Sequence, residues 1–342
     1  MVILPLPAMA GLFVHGYMEG EPAVRFVVLG AGSLGLLVAG YLAKRGNEVV
    51  VVGKPEQAAL LNERELEVVA PSGFKARVQA ASRSQEVGPS DYLIVTVKTR
   101  DTIAALDRVA GVPFGAVLSL QNGMAKDDQL TERYGSAAVI GAATILGATL
   151  LEQGRTQHTM FGVTYFGELD GHSSARVEQL AAAFNDAGMK AEIPGSILAA
   201  EWSKLCQIVP AALLSTASRL EYYKVCKSRD LAELFVTITH ECAAVANACG
   251  VEVGDYQGFP IRSIVDAPFE KAVEMILNRG ASLEQSGQTS VRISMLQDVL
   301  KGRKTEVEET AGYVVQRARE HGVAIPNVEF GYHVVRGIEA YL

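Results

Sequence analysis

The sequence predicts an α/β domain with a doubly wound parallel sheet, followed by an all-α domain. Up to about residue 190, short runs of β-branched and apolar residues alternate with helical segments. From residue 196 onward the strand-like runs vanish and apolar residues recur at helical spacing. With 342 residues, 49% of them hydrophobic, the chain is long enough for two cores. We therefore expect an α/β domain at 24–195 and a helical domain at 196–342.

Residues 1–23 come before the first strand-like run and are expected to form a poorly ordered extension. Positions 2–14 are apolar, and Ala8 and Ala10 resemble the small residues of a cleavage site. However, no Lys or Arg precedes them, as a secretory signal requires. A start of translation near Met18 is a second interpretation.

The first strand-like run, 24–28, ends in a glycine-rich turn and leads into a helical segment at 36–45. The turn has G-x-G-x-x-G spacing and consists of Gly30, Ala31, Gly32, Ser33, Leu34 and Gly35. The first glycine makes the tight turn, the second lets the backbone approach a pyrophosphate, and the third lets helix and strand pack closely. A second strand at 49–52 completes the context. The pattern predicts a Rossmann-type dinucleotide site, against the alternative of a tight turn without a nucleotide.

The end of the second strand bears on the choice of cofactor. An NAD enzyme usually carries Asp or Glu there, to bind the ribose hydroxyls. This chain has Gly53, Lys54 and Pro55 instead. Because a cation suits a 2′-phosphate, Lys54 favours NADPH over NADH, although a solvated loop lysine is the alternative.

Further strands are predicted at 91–97, 116–120 and 138–143, with a β-excursion at 68–71 and 75–80. A hairpin-like element at 154–167 and a closing helix at 174–187 complete the domain. The carboxyl ends of parallel strands line the ligand crevice, so Lys98 is expected to face the cofactor. Gln121, Asn122 and Gly123 follow the next strand.

The second domain shows helical signals only. A helix is predicted at 231–249, stopping at Gly250. Thr305 and Glu308 have the spacing of a capping box ahead of a helix that ends near His321, and a last helical segment, 327–342, follows Pro326. The apolar faces of this domain fit either core packing or a homodimer interface.

Composition argues against several classes of function. A formal net charge of −7 and the lack of a basic tract argue against nucleic-acid binding. No run reaches eighteen apolar residues, so no membrane span is expected. His240 and Glu241 lack the second histidine of a zinc-protease motif, and metal chemistry is not expected. The spacing of the four cysteines fits neither a zinc site nor a disulfide framework, which favours a reduced, cytoplasmic setting.

Two charged residues of the second domain are candidates for chemistry. Lys204 lies in an apolar helical stretch with no other charge after Glu201. Burying an unpaired ammonium is costly, so such a lysine has either a function or a salt-bridged or snorkelling side chain. Glu306 is open to the same two interpretations, since it could be a carboxylate in the first turn of a helix.

These residues together resemble the ketopantoate reductase (2-dehydropantoate 2-reductase) family over about 24–342. Besides the glycine-rich turn, the resemblance rests on motifs at 97–99, 121–123, 147–148, 202–204, 294–298, 302–306 and 324–326. It implies a Rossmann domain and a helical domain with the active site between them, in which NADPH reduces a 2-oxo acid.

The resemblance also implies roles for single residues. Lys204 matches the general acid, which protonates the carbonyl oxygen as hydride reaches carbon and can also contact substrate. Glu306 matches a carboxylate that contacts cofactor or substrate, and Ser294 matches a substrate-binding residue. The residues that match cofactor-contacting positions are Lys98, Asn122 and Ala148.

The chain departs from the family pattern where the substrate is expected. Ile208, Ala212 and Val291 stand where the family usually has asparagine, and a further asparagine position of the helical domain falls near Tyr222. A lost partner for a buried polar group costs about 1–3 kcal/mol. The pocket is therefore expected to be more apolar than that of a ketopantoate reductase, unless Gln207 or Arg292 compensates.

Three functions are consistent with this sequence. The first is an NADPH-dependent 2-oxo acid reductase acting on ketopantoate, in the pathway to pantothenate. The second is a related reductase for a more apolar 2-oxo acid, or for another carbonyl or imine. The third is a non-catalytic NADP-binding regulator, against which the presence of Lys204 and Glu306 argues.

Overall fold

The structure is a computed structural model that describes residues 23–69 and 72–342. Residues 1–22, and with them nearly all of the expected N-terminal extension, lie outside the described residues, as do 70 and 71. The strands are β1 (Arg25–Leu29), β2 (Glu48–Val52), β3 (Leu66–Val69), β4 (Phe74–Ala76), β5 (Gln79–Ala81), β6 (Ser90–Val95), β7 (Phe114–Ser119), β8 (Val139–Thr144), β9 (Gly147–Glu152), β10 (Arg155–Met160), β11 (Thr164–Glu168), β12 (Ala191–Glu192), β13 (Asp255–Tyr256) and β14 (Phe259–Pro260).

Helices alternate with the strands of the α/β domain and make up most of the second half of the chain, from residue 196 onward. They are α1 (Ser33–Lys44), α2 (Pro55–Glu63), α3 (Thr102–Leu106), α4 (Ala125–Tyr134), α5 (Ala175–Asp186), α6 (Ile197–Ser218), α7 (Tyr222–Lys227), α8 (Arg229–Ala248), α9 (Ile261–Asp266), α10 (Phe269–Gln285), α11 (Ser294–Leu300), α12 (Tyr313–His321) and α13 (Pro326–Glu339).

The main sheet has eight strands in the order β5-β2-β1-β6-β7-β8-β11-β12. It is parallel from β5 to β8, and β11 runs antiparallel to β8. Side chains of β1 alternate between two apolar cores, so Val28 packs with Leu36 of α1 on one face and Val27 packs with Leu130 of α4 on the other. The doubly wound sheet predicted from the sequence is confirmed.

A smaller sheet, in the order β4-β3-β10-β9, covers the outer side of α1. Thr156 of β10 donates a hydrogen bond to the Ser33 carbonyl at 2.9 Å and so links this sheet to the start of α1. The predicted excursion corresponds to β3 and β4, but β5 joins the main sheet. The predicted hairpin at 154–167 is wrong in detail, because β10 pairs with β9 while β11 belongs to the main sheet.

Helix α6 is the centre of the second half. The Ser196 hydroxyl accepts a hydrogen bond from the Ala199 N–H and caps its start. The helix packs against α8 and α13 and also against β8 of the main sheet. By length and composition α6 could cross a membrane, but 78% of its most apolar window is buried inside the protein. The only strands described in this half are the two-residue pair β13 and β14.

The predicted capping box does not form. The Thr305 hydroxyl accepts from the Val307 N–H at 3.2 Å, but the Glu308 carboxylate binds the Tyr332 hydroxyl at 2.7 Å. A wide, π-helical turn at Glu308–Gly312 precedes α12. Contacts with α13 therefore decide the conformation of Glu308, and they override the local capping signal.

We expect Gly35→Ala to destabilise the protein by roughly 1–3 kcal/mol, because a Cβ atom at Gly35 would lie 2.0 Å from the Gly30 carbonyl oxygen. Thermal unfolding followed by circular dichroism measures the change. Gly32→Ala is the matched control, since a Cβ there meets no atom within 4 Å. Its melting temperature should stay near that of the wild type while dinucleotide affinity falls. Equal melting temperatures for the two variants would contradict the assigned packing.

Candidate active site

A cleft of about 700 Å³ runs along the carboxyl ends of the parallel strands and reaches the helical domain. It is the place where a doubly wound sheet binds its ligand. The sequence-predicted residues that line it are Gly30, Ala31, Gly32, Ser33, Leu34, Lys54, Lys98, Asn122, Ala148, Ser294 and Glu306. Of the other predicted residues, Gly35 lies beneath the turn and Lys204 reaches the cleft through Asn122.

The glycine-rich turn has the geometry that a dinucleotide requires. Gly30 has φ +125°, a conformation that favours glycine, and its N–H bonds the Val52 carbonyl at 2.8 Å. The space over Gly32 is open, so a pyrophosphate could approach the backbone N–H groups at the start of α1. The turn therefore fits the cofactor that the sequence predicts.

Two cations lie where β2 ends. Lys54 is exposed at the start of α2, and its N–H is bound by the Gln57 side chain at 2.9 Å. Arg108 donates hydrogen bonds to the Ser82 carbonyl at 3.2 Å and the Gly53 carbonyl at 3.4 Å. Within the described residues, neither cation has a carboxylate partner. Sequence reasoning missed Arg108, because nothing local connects it with a strand end 55 residues earlier.

Lys98 and Glu306 form an ion pair that joins the two domains. The Lys98 ammonium lies 2.7 Å from Glu306 and 3.1 Å from Asp298. The Thr99 N–H and hydroxyl both donate to the other Glu306 oxygen. Burial alone would lower the pKa of Lys98, but the Glu306 and Asp298 carboxylates raise it. Lys98 and Thr99 are thus the hydrogen-bonding partners of Glu306, and Lys204 is not among them.

The loop that carries Lys98 is held in place by Gln121. This buried amide donates to the Val97 carbonyl at 2.7 Å and to the Thr102 hydroxyl at 2.8 Å, and it accepts from the Ser119 hydroxyl. Its position beside Asn122 at the end of a strand was the sequence signal for it. Gln121 positions the loop and does not need to contact a ligand.

Lys204 projects from α6 toward the Asn122 side chain, to which its ammonium donates a hydrogen bond of 2.9 Å. The ammonium has no carboxylate within ion-pair distance in the described part of the chain. Burial, followed by the positive charge of Lys126, lowers the pKa of Lys204 to about 7. An amine with that pKa is matched to proton transfer near neutral pH.

The positions where a substrate is expected carry one hydroxyl and three apolar side chains. Ser294, at the start of α11, lines the cleft. Ile208 lies one helical turn after Lys204, and the two side chains line one small cavity next to the cleft residue Gln121. Ala212 is buried, and the Val291 carbonyl accepts a hydrogen bond from the Tyr222 N–H at 3.2 Å.

Neither candidate for replacing the missing amides is free to do so. Arg292 is exposed and pairs with Glu221 at 3.4 Å. Gln207 is buried, donates to the Tyr222 hydroxyl at 2.6 Å, and accepts from Arg279. Within residues 23–69 and 72–342, no group of three His, Cys, Asp or Glu side chains is placed to bind a metal ion.

Comparison with known proteins identifies the family. The family model "Ketopantoate reductase PanE/ApbA" matches residues 26–171, and the model of its C-terminal part matches 196–339. The chain belongs to the ketopantoate reductase family. It is an oxidoreductase by family, which argues further against the interpretation as a non-catalytic regulator.

Relatives match over nearly their whole length. The chain is 30% identical over 320 residues to a 2-dehydropantoate 2-reductase of Archaeoglobus fulgidus, covering 93% of this chain and 99% of that protein. It is 32% identical over 317 residues to one of Halobacterium salinarum, covering 92% and 98%.

Solved structures share the fold at lower identity. The 2-dehydropantoate 2-reductase of Geobacter metallireducens has a TM-score of 0.77 and 23% identity, with 92% of this chain and 99% of that chain covered. A D-mandelate dehydrogenase solved with NADH and anilino(oxo)acetate has a TM-score of 0.79 and 20% identity, with 93% and 99% covered.

We expect Lys204 to react as a free amine at neutral pH. Labelling with acetic anhydride, followed by mass spectrometry across a pH series, should give a midpoint near the pKa of about 7. Lys98 is the control in the same molecule, since its carboxylate partners raise its pKa and its midpoint should lie at higher pH. Equal midpoints for the two lysines would contradict the assigned environment of Lys204.

Proposed function

We propose that the protein reduces a 2-oxo acid with NADPH, with ketopantoate as the first candidate substrate. The observation that carries this proposal is the Lys204 ammonium, which has a lowered pKa and is bound to Asn122 at the edge of the cleft. The relatives named 2-dehydropantoate 2-reductase support the choice of substrate.

Lys204 would act as the general acid. When bound, the cofactor supplies the hydride to the carbonyl carbon. The negative charge that develops on the oxygen is stabilised by the nearby ammonium, which then donates its proton and becomes a neutral amine. Asn122 accepts a hydrogen bond from Lys204 and thereby orients the ammonium. Solvent protonates the amine again after the product leaves.

Glu306 and Ser294 would hold the substrate beside Lys204. Glu306 is fixed by Lys98 and Thr99, so its carboxylate can accept a hydrogen bond from a substrate hydroxyl without moving. Ser294 lines the cleft, and its hydroxyl could donate to the substrate carboxylate. Ala148 lines the wall of the cleft on the α/β side, where the cofactor is expected.

The preference for NADPH is proposed from the cations at the end of β2. Lys54 and Arg108 border the cleft beside the end of β2, where the ribose 2′-group would lie, and the residues directly after the strand are Gly53 and Lys54 instead of a carboxylate. A 2′-phosphate would meet two positive charges, whereas a ribose hydroxyl would find no acceptor of the kind that NAD enzymes provide.

A more apolar 2-oxo acid is the second candidate substrate. Ile208 borders the cavity beside Lys204, and the two polar side chains that could compensate are engaged elsewhere. The same fold holds anilino(oxo)acetate in the D-mandelate dehydrogenase, so an aromatic 2-oxo acid is compatible with this architecture. A cytoplasmic location and a homodimeric state, both expected from the sequence, remain predictions.

We expect the enzyme to oxidise NADPH with ketopantoate and Lys204→Ala to lower kcat/KM by about 10²–10⁴-fold, since the variant has no general acid. Because the acid must be protonated, wild-type kcat/KM should fall as pH rises through about 7. A panel of 2-oxoisovalerate and phenylpyruvate tests the second candidate. Faster turnover of those acids than of ketopantoate would overturn the first choice of substrate, and turnover of none would overturn the reductase function.

We expect Arg108→Ala and Lys54→Ala each to raise KM for NADPH by about tenfold with little change for NADH, because one charge partner of the 2′-phosphate is lost. Steady-state kinetics with both cofactors measures the change in KM for NADPH and for NADH separately. Arg45→Ala is the control, as Arg45 is exposed at the end of α1 and lies outside the cleft. Equal losses with both cofactors would show that the two cations do not read the 2′-phosphate.

A further inference from the structure

Three ionisable residues are buried together near Lys204, and none of them lines the cleft. Lys126 of α4 is 1% exposed, Asp127 is 6% exposed, and Glu201 of α6 is 4% exposed. The Lys126 ammonium lies 2.8 and 2.7 Å from the Asp127 oxygens and 2.6 Å from Oε1 of Glu201. A buried ion pair is often no more stable than an apolar replacement, so its presence calls for a reason other than stability.

The geometry connects this cluster to Lys204. Glu201 precedes Lys204 by three residues on α6, so the two side chains emerge on neighbouring positions of one face. Both border a cavity of about 10 Å³ that Lys126 also lines. Oε1 of Glu201 accepts from the Ala142 N–H at 2.9 Å, whereas Oε2 is buried without a hydrogen-bond partner in the described residues. One side of the carboxylate is thus fixed, and its charge is not fully compensated.

We propose that Lys126 and Glu201 are positioning residues that set the proton affinity of Lys204 through their charges, with opposite signs. The Lys126 ammonium disfavours a second positive charge nearby, and the Glu201 carboxylate favours it. This inference rests on the proposed role of Lys204 as the general acid. Neither residue lines the cleft, so their charges act on the chemistry there through Lys204.

Electrostatics in a buried site supports the proposal. Charges interact more strongly where water is excluded, and all three members of the cluster are buried. Burial is the largest cause of the lowered pKa of Lys204, the Lys126 charge lowers it further, and Glu201 and Glu306 raise it. Burial also raises the pKa of Asp127 well above its usual range. The two members of the cluster that act on the pKa of Lys204 are therefore Lys126, which lowers it, and Glu201, which raises it.

The other groups around Lys204 do not depend on this pair. From the turn after β7, Asn122 is neutral and accepts the Lys204 hydrogen bond. From the segment before α12, Glu306 is bound by Lys98 and Thr99. Asp298 of α11 is held by the same Lys98. Substitution of Lys126 or Glu201 leaves all of these contacts in place.

The test is the labelling midpoint of Lys204 in Glu201→Gln, in Lys126→Met and in the double variant. We expect Glu201→Gln to lower the midpoint by about one pH unit and Lys126→Met to raise it by about as much, while the double variant returns close to the wild type. The pH dependence of kcat/KM should shift in the same directions. Glu201→Asp and Lys126→Arg keep the charges and should keep the wild-type midpoint.

Shifts of one sign in both single variants, or no shift in either, would overturn the proposal, since a purely structural pair does not move the midpoint in opposite directions. Thermal unfolding shows which variants fold. If Lys126→Met does not, Glu201→Gln against Glu201→Asp decides the matter, because glutamine still accepts from Lys126 and the Ala142 N–H. Labelling needs no substrate. A wild-type protein that reduces no 2-oxo acid would overturn the proposed function, whereas the labelling midpoints of Lys204 would still test this inference.

Discussion

The arrangement of this protein follows from the need to hold one lysine partly out of water at the edge of an open cleft. Lys204 is carried by α6, the most extensively buried helix of the second half, and α6 packs directly on β8 of the sheet. A lysine on a surface helix would stay fully hydrated and would not release its proton near neutral pH. The attachment of the helical domain to the sheet thus contributes to the burial that lowers the pKa of Lys204.

The two domains must therefore keep a fixed position relative to each other, and several contacts between them hold that position. Glu306 is bound by Lys98 and Thr99, and Arg100 donates to the Lys304 carbonyl at 2.6 Å. Gly123 approaches the helical domain so closely that a Cβ atom would lie 2.2 Å from the Glu309 carbonyl oxygen. These contacts surround Asn122 and so fix the partner of Lys204. A loosened interface would admit water to the ammonium and raise its pKa.

Local patterns predicted most of the α/β domain, because a β-branched run, a glycine-rich turn and a helix are each encoded within a few residues. The assignment of β10 and β11 to different sheets could not be read in that way, since pairing is decided by neighbours far along the chain. The family resemblance pointed to Lys204 and Glu306 but not to the partner of Glu306. Lys126 and Glu201 were missed for the same reason as Arg108. They lie 75 residues apart in sequence, and only the folded chain brings them together.

At the positions where the family resemblance leads us to expect asparagine, apolar residues would affect the proposed acid as well as the substrate. Ile208 borders the cavity beside Lys204, where an amide could have donated to the substrate or accepted from the ammonium. An apolar side chain solvates neither, so it removes a stabilising partner of the charged lysine and keeps its pKa low. A less polar substrate fits such a site for two reasons. It leaves fewer hydrogen bonds unmade, and it brings less water to an ammonium whose acidity depends on desolvation. In the proposed mechanism Ile208 would therefore influence both the substrate preference and the acidity of Lys204.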